Sequence, residues 1–425
     1  MLQFILWFLF GAFVITSFIF VIWSRSLKKR AMRKVAAMDT TTVQDWPEDF
    51  LESKRHRMDT LADDTVDFIL ARNDLDLVNH LFASITRDSA RLPDNAPIEL
   101  KDYFAQSGHL PEWADLDLIR LGQQVYIRHG VWISLLLCYK SLPECYTCAK
   151  GAEVLHRTAR LNNHHGSTNT YARRIAETAK FVMFAMSPGG LFSSGRGMIA
   201  TQKTRLIHGV IRHYIQKNDW DATEYGEPIN QEDLAGTLMS FSALILDGLP
   251  KIGIELEPVE KEAFTHCWNV IGHIIGLDED LLPLNAADAL KMGNTILAHQ
   301  QAESPQGTAL MEALLDFQDK KPNFLISPKI NDAMFRLAMG NEMADLLHVP
   351  GIDQQTIEKL GRKIKRITGF METMDKSLIF SMVIQFVSRI GLNFFLNRMG
   401  SSSIINFYLP ESLTKDWRTL SLKFR

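Results

Sequence analysis

The residue best suited to binding chemistry is His208, in the run Thr204-Arg-Leu-Ile-His-Gly-Val-Ile-Arg-His213, where it stands mid-way along an apolar helical stretch with Gly209 beside it. Such a histidine can coordinate a metal, although taken alone it is more often a hydrogen-bonded core residue. His213 follows five positions later, about 140° around a helix that turns by about 100° per residue. The two imidazoles therefore cannot share one side of a metal ion without distortion. A single-histidine ligand points to haem rather than zinc.

Upstream, Tyr171-Ala-Arg-Arg-Ile-Ala-Glu-Thr178 places Arg174, Glu177 and Thr178 at i, i+3 and i+4, on one helix face. On an exposed helix this is an ion pair with a neighbouring hydroxyl. The flanking Phe181, Val182, Phe184 and Ala185 indicate a buried helix instead, where an unpaired polar triad is costly. That cost favours a pocket.

Other chemistries lack their residues. The chain has no HExxH, no Gly-x-Ser-x-Gly elbow, no Walker loop and no strand-linked GxGxxG. A four-helix di-iron site needs two Glu-x-x-His pairs, and only Glu153 with His156 is present. Cys145-Tyr-Thr-Cys148 has no second CxxC for zinc and has Ala149 where covalent haem attachment needs histidine, so ordinary thiols are the simpler reading.

The elements that must position these residues read as helices. Apolar residues recur at helical spacing over 59–85, 116–140, 151–161, 170–186, 201–216, 231–248 and 258–275. Three more helices are predicted over 331–348, 354–374 and 376–399, after a looser region at about 302–328. Explicit breaks fall at 162–167, the glycine-rich 187–197, 225–228 and 249–253. No alternating strand pattern appears, so the expected body is all-α. The run 378–396 is strongly apolar but interrupted by Gln385, Arg389 and Asn393, which suits a buried helix better than a second span, with a membrane-resting helix as the further alternative.

Residues 1–23 carry no charged side chain and are long enough to cross a roughly 30 Å hydrocarbon core. Arg25, Lys28, Lys29, Arg30, Arg33 and Lys34 follow, with no acid until Asp39. The expectation is a retained single-pass anchor with the body on the cytoplasmic side, in a bacterial inner membrane or the endoplasmic reticulum. A cleaved signal would show the reverse charge order. The four cysteines, few for 425 residues, suit a reducing compartment. A net charge of -3, with the one basic run against the span, speaks for anionic headgroups and against nucleic acid. Oligomeric state is not encoded in any of these features.

Together these segments resemble the latex-clearing-protein type of rubber oxygenase and the related MpaB-type membrane oxygenases, over about residues 142–277. The resemblance rests on Val154-Leu-His-Arg-Thr-Ala-Arg-Leu161, Arg174-x-x-x-Thr178, Ser187-Pro-Gly-Gly190, Arg205-Leu-Ile-His208 and 264–276, with His208 thirty residues after Thr178. It implies a helical, globin-like core holding haem b non-covalently and using O2 as co-substrate. His208 would be the proximal iron ligand, His213 a second histidine supporting the haem site, and Arg205 a further cofactor-site residue. Arg174 and Thr178 would lie on the distal side. Glu177 departs from the lysine of the best-known rubber oxygenases and would act as a base. The implied function is an oxygenase cleaving or oxidising C=C bonds of an apolar, isoprenoid or prenylated substrate. The alternatives are a membrane-bound haem protein for redox or gas sensing, and a helical interaction protein that has lost its cofactor. The corresponding division is 1–23 anchor, 24–58 basic connector, 59–300 haem-binding core and 301–425 helical extension packing on it.

Overall fold

The structure, a computed structural model, describes residues 19, 22–38, 44–71, 96–158, 168–320 and 327–375, without the side chains of 168–174, 320, 374 and 375. Among them the chain is helical, and the sole β feature is an isolated bridge between Cys148 and Gln301. The helices are α1 (Glu48–Arg55), α2 (Thr60–Ala71), α3 (Ile98–Gln106), α4 (Leu116–Leu136), α5 (Leu142–Thr147), α6 (Ala149–Arg157), α7 (Thr168–Ala185), α8 (Arg196–Gln216) and α9 (Ala222–Tyr225). They continue as α10 (Gln231–Phe241), α11 (Ala243–Lys251), α12 (Pro258–Ile275), α13 (Ala286–Gln300), α14 (Pro305–Lys320), α15 (Pro328–Met339), α16 (Asn341–Leu346) and α17 (Gln354–Asp375).

The central pair is α4 against α12. Asp115 caps α4 by accepting from the backbone N–H groups of Asp117 and Leu118. A capping box between Glu257 and Glu260, with Pro258 in the first turn, starts α12, and Gly276 at φ 94° ends it. The two backbones touch at Gly122, where an added Cβ would lie 2.3 Å from the carbonyl oxygen of Ala263. Around this seam Phe264, Trp268, Ile271 and Ile274 are buried, with Trp268 stacked on Phe241 of α10 at 5.3 Å.

His266 fastens the same seam, its Nε2 accepting from the backbone N–H of Asp115 at 2.8 Å. Burial lowers its pKa from 6.5 to about 4. A folded pKa below the unfolded one contributes stability that is full above about 6.5 and is lost as the pH falls through about 4. His266→Asn should therefore flatten the acid limb of a stability-versus-pH curve between those values, by up to about 1.4 kcal/mol per pH unit. Equilibrium urea melts at several pH values measure this, and an unchanged slope would mean His266 is not held neutral.

Tertiary contacts redraw several elements expected from periodicity. The helix expected over 231–248 breaks at Ser242 (φ −113°, ψ −83°), whose hydroxyl donates to the Leu238 carbonyl. The helix expected over 331–348 breaks at Gly340, whose φ of 91° ends α15 and begins α16. The region expected to be loose contains α14, which buries Leu310, Met311, Leu314 and Phe317 against a cluster that includes Tyr139 and Tyr146. The helix expected over 116–140 gives way after Leu136 to a wider π turn, Leu137–Ser141.

Residues 22–35 are helical and lie along α4 and α12. Leu27 and Ala31 bury against Leu118, Leu121, Val259 and Ala263. Lys28 reaches Glu257 (2.6 Å) and Glu260 (3.1 Å), Arg30 reaches Asp117 (3.0 Å), and Lys34 pairs with Asp115. Half of the basic run thus docks its own protein. Of the expected span, residues 1–18, 20 and 21 lie outside the described residues, as does the helix expected over 376–399. Among the described residues no helix is long and apolar enough to cross a membrane.

Candidate functional site

The glycine-rich break at 187–197 is what brings α7 and α8 together. An added Cβ at Gly190 would lie 2.0 Å from the carbonyl oxygen of Phe184, and one at Gly197 2.5 Å from the Cα of Ala185. Gly189 takes φ 77°, and the N–H of Met198 donates to the Gly190 carbonyl at 2.8 Å. The turn is tight because no side chain intervenes, and it lays α8 directly along α7.

On α8, Thr204, Ile207, His208 and Ile211 follow i, i+3, i+4 and i+7 and face one cavity. The space between atoms there amounts to about 1270 Å³, including its open mouth. Opposite walls come from Val154 and Leu155 of α6, Leu234 and Thr237 of α10, Leu244 of α11, and Ile296 and Leu297 of α13. Gly151, Gly236 and Gly293 also line it, one each from α6, α10 and α13; an added Cβ would lie 3.4 Å from Asp233 Oδ1, 3.0 Å from Ile296 Cγ2 and 3.2 Å from Met239 Cβ respectively, so they let neighbouring walls pack closely. Among the described residues His208 is the only imidazole in this lining.

The neighbouring face of α8 is clamped to α2. Asp59, Asp63 and Asp67, at i, i+4 and i+8, pair with Arg205, Arg212 and His213. Arg205 binds Asp59 through Nε (2.6 Å) and Nη2 (2.7 Å), Arg212 Nε binds Asp63 at 2.7 Å, and His213 Nδ1 lies 2.6 Å from Asp67. Gly209 lets α2 approach between these pairs, an added Cβ there being 3.2 Å from the Ala62 carbonyl oxygen. Arg212 is buried, and burial pushes Asp63 up to about 6 even against that guanidinium. The clamp fixes how far α8 is rotated and hence where His208 points.

Of the candidate haem-site residues whose side chains are described, His208 alone lines this cavity. Arg205 and His213 turn toward α2, and neither lines it. Glu177 is buried on α7 and Thr178 half-buried; neither belongs to the lining. Arg174 is on α7 with its side chain outside the described residues.

Other wall residues carried weaker signals. Cys145 and Cys148 both line the cavity. Burial pushes the Cys145 thiol up to about 11 and that of Cys148 well above its usual value, so both are neutral thiols near pH 7. Asp233, also in the wall, is held by Arg55 Nη1 and Asn230 Nδ2 at 3.0 Å each. Behind it the fully buried Glu232 accepts from Arg55 (3.0 Å) and Gln300 (2.9 Å) and meets His299 Nδ1 at 2.6 Å; burial raises its pKa against these partners. No group of three His, Cys, Asp or Glu side chains among the described residues could hold a bare metal ion. The arrangement offers one nitrogen donor inside an apolar chamber. The Asp59-x-x-x-Asp63-x-x-x-Asp67 spacing was the visible trace of the clamp.

Residues 147–388 match the family model for the "ER-bound oxygenase mpaB/B'/Rubber oxygenase, catalytic domain". The rubber oxygenase of Streptomyces sp. (strain K30) is 25% identical over 307 residues, 71% of this chain and 72% of that protein. The fold is similar to that of latex clearing protein LCP in its closed state, with a TM-score of 0.65 at 23% identity, covering 80% of this chain and 91% of that one.

Proposed function

Since the chain belongs to the family of mpaB/B' and rubber oxygenase catalytic domains, and is therefore an oxygenase, we propose that it is a membrane-anchored, haem b-dependent enzyme that uses O2 to cleave or oxidise C=C bonds of an isoprenoid or prenylated substrate. The observation that carries this reading is the lone imidazole of His208 in an apolar chamber. That donor set fits haem better than a bare ion. A porphyrin brings four nitrogen ligands of its own, so a single histidine, His208, would hold it, and the apolar walls would suit the macrocycle.

When bound, haem supplies the iron at which O2 is activated. The work assigned to this chain's own residues is positional. His208 holds the group, and the α2 clamp keeps His208 aimed. The apolar lining excludes water and accepts a hydrocarbon chain. The family resemblance gives Arg174 and Thr178 the role of polarising O2 and Glu177 that of accepting an allylic proton; these roles rest on the resemblance, since neither Thr178 nor Glu177 lines the described cavity. The division into an anchor (1–23), a connector (24–58), a haem-binding core (59–300) and a packed extension (301–425) belongs to the same proposal. A substrate that partitions into lipid is one the anchor concentrates, with the body on the cytoplasmic side of a bacterial inner membrane or the endoplasmic reticulum.

The deciding experiment exposes the reduced protein to O2 in a single turnover with a polyprenyl lipid. Carbonyl products are expected, with a Soret band and a carbon monoxide difference spectrum from the same sample. A normal haem spectrum without products would leave a redox or gas-sensing haem protein, and no Soret band after purification with ample haem would remove the cofactor assignment altogether. Glu177→Gln should keep the Soret band and slow turnover by about 100-fold or more, the usual contribution of a positioned base; unaltered turnover would remove Glu177 from the chemistry.

A further inference from the structure

Outside the cavity, the strongest surface feature is the outward face of α17. Its inner seam, Ile357, Ile364 and Thr368, is buried, and Thr368 Oγ1 donates to the Ile252 carbonyl at 2.6 Å, which fixes the helix's rotation on the body. The opposite face carries Arg362, Lys363 and Arg366, with Lys365 on the flank beside Gly253, all exposed, and then two exposed apolar side chains, Ile367 and Phe370, the latter 66% exposed. Of the four cations Arg362 alone faces a carboxylate within 4 Å among the described residues, Glu358 at 3.6 Å. Cations beside exposed hydrocarbon on the outward surface of one helix are what an interfacial helix presents to headgroups and acyl chains.

The place where α17 ends gives this surface its direction. Glu372 Oε1 lies 3.6 Å from His129 Nδ1 on α4. Ser24 Oγ donates to Gln124 Oε1 at 3.1 Å on the same helix, five residues or about 7.5 Å away. The N-terminal helix and α17 therefore leave the body side by side. Exposed Ile22 and Trp23 stand at one exit, Ile367 and Phe370 at the other. The sequence continues from the first exit into the uncharged run 1–21 and from the second into the apolar run 378–396. Lys28, Arg30 and Lys34 are engaged with the body's own carboxylates, while Arg25, Lys29 and Arg33 stay exposed on the N-terminal helix, and α17 adds its cations beside them.

We propose that the Arg362–Phe370 face of α17 is a second membrane-contact surface, which lies on an anionic bilayer beside the exit of the N-terminal helix. Lys363, Lys365 and Arg366 meet lipid phosphates and carboxylates while Ile367 and Phe370 enter the acyl region. The body is thereby held at two adjacent points and cannot swivel freely about a single tether.

The test uses the full chain in phosphatidylcholine vesicles with and without phosphatidylserine, carrying p-benzoylphenylalanine in place of Phe370, of Ile22, or of Leu284, an exposed residue of the loop between α12 and α13. Mass spectrometry after illumination identifies what each position touches. Lipid adducts are expected at 370 and not at 284, with higher yield in phosphatidylserine. Lys363→Glu with Arg366→Glu should lower the yield at 370 by about fivefold per cation, circular dichroism confirming the fold. The proposal uses the anchor reading of residues 1–23, and position 22 reports on that separately. Lipid at 22 with none at 370 overturns the second contact and leaves the anchor standing, whereas lipid at 370 with none at 22 supports α17 and removes the anchor. An adduct at 370 to a second copy of the chain, or to neither lipid nor protein, also overturns the proposal.

Discussion

His208→Ala is expected to give a folded protein that purifies without a Soret band and shows no oxygenase turnover. Alanine is the better helix former, and the α2 clamp on the adjacent face of α8 does not involve the imidazole, so α8 should persist. What disappears is the single nitrogen donor of the chamber. The loss in haem affinity should exceed the roughly 10–100-fold that removal of an outer partner costs at a metal site, because here the ligand itself is gone. Haem titration of the purified variant, read at the Soret maximum beside circular dichroism, measures both halves of the expectation. A full-occupancy spectrum with normal position would move the ligand to another residue.

Arg205→Met should behave in the opposite way, losing stability while retaining the spectrum. The Arg205–Asp59 pair is two-pronged and nearly dry, with side-chain exposures of 12% and 4%. Removing the guanidinium strands the Asp59 carboxylate, and breaking a buried pair from one side costs about 3–5 kcal/mol. Chemical denaturation gives the stability, and the fraction still folded at low temperature should bind haem with an unshifted Soret band. Adding Asp59→Asn should recover part of the loss, since the stranded charge is then gone as well. A shifted or absent Soret band at undiminished stability would return Arg205 to the cofactor's immediate contacts.

That contrast marks where the sequence was readable. His208 could be found because a polar ring in an apolar helical stretch is locally anomalous. Its neighbours Arg205 and His213 shared the same motif, and nothing local distinguished a residue facing the chamber from one about 60° or 140° further around the helix and facing α2. Their partners lie far back in the chain, at Asp59 and Asp67. The all-α character was legible from periodicity, and the bounds of α12 coincide with the expected 258–275 because Pro258 and Gly276 are local signals. The breaks at Ser242 and Gly340 and the whole of α14 depended on packing between remote segments, which no window of neighbouring residues contains. The loop at 187–197 was visible as glycine content, but the reason for it, backbone meeting backbone between α7 and α8, is purely three-dimensional.

The π turn at Leu137–Ser141 bears on how such a chamber changes over evolutionary time. A π turn takes up one extra residue in a widened turn, so the helix beyond it keeps the phase that an unabsorbed insertion would shift by about 100°. Here the downstream segment is the one that presents Glu144, Cys145 and Cys148 to the cavity. A lineage that gained or lost a single codon between 137 and 141 can take up the change by widening or tightening this turn, leaving that wall, His208 and its clamp in place. Chain length can thus change at this one turn without altering what the chamber accommodates, which leaves that to substitutions in the lining.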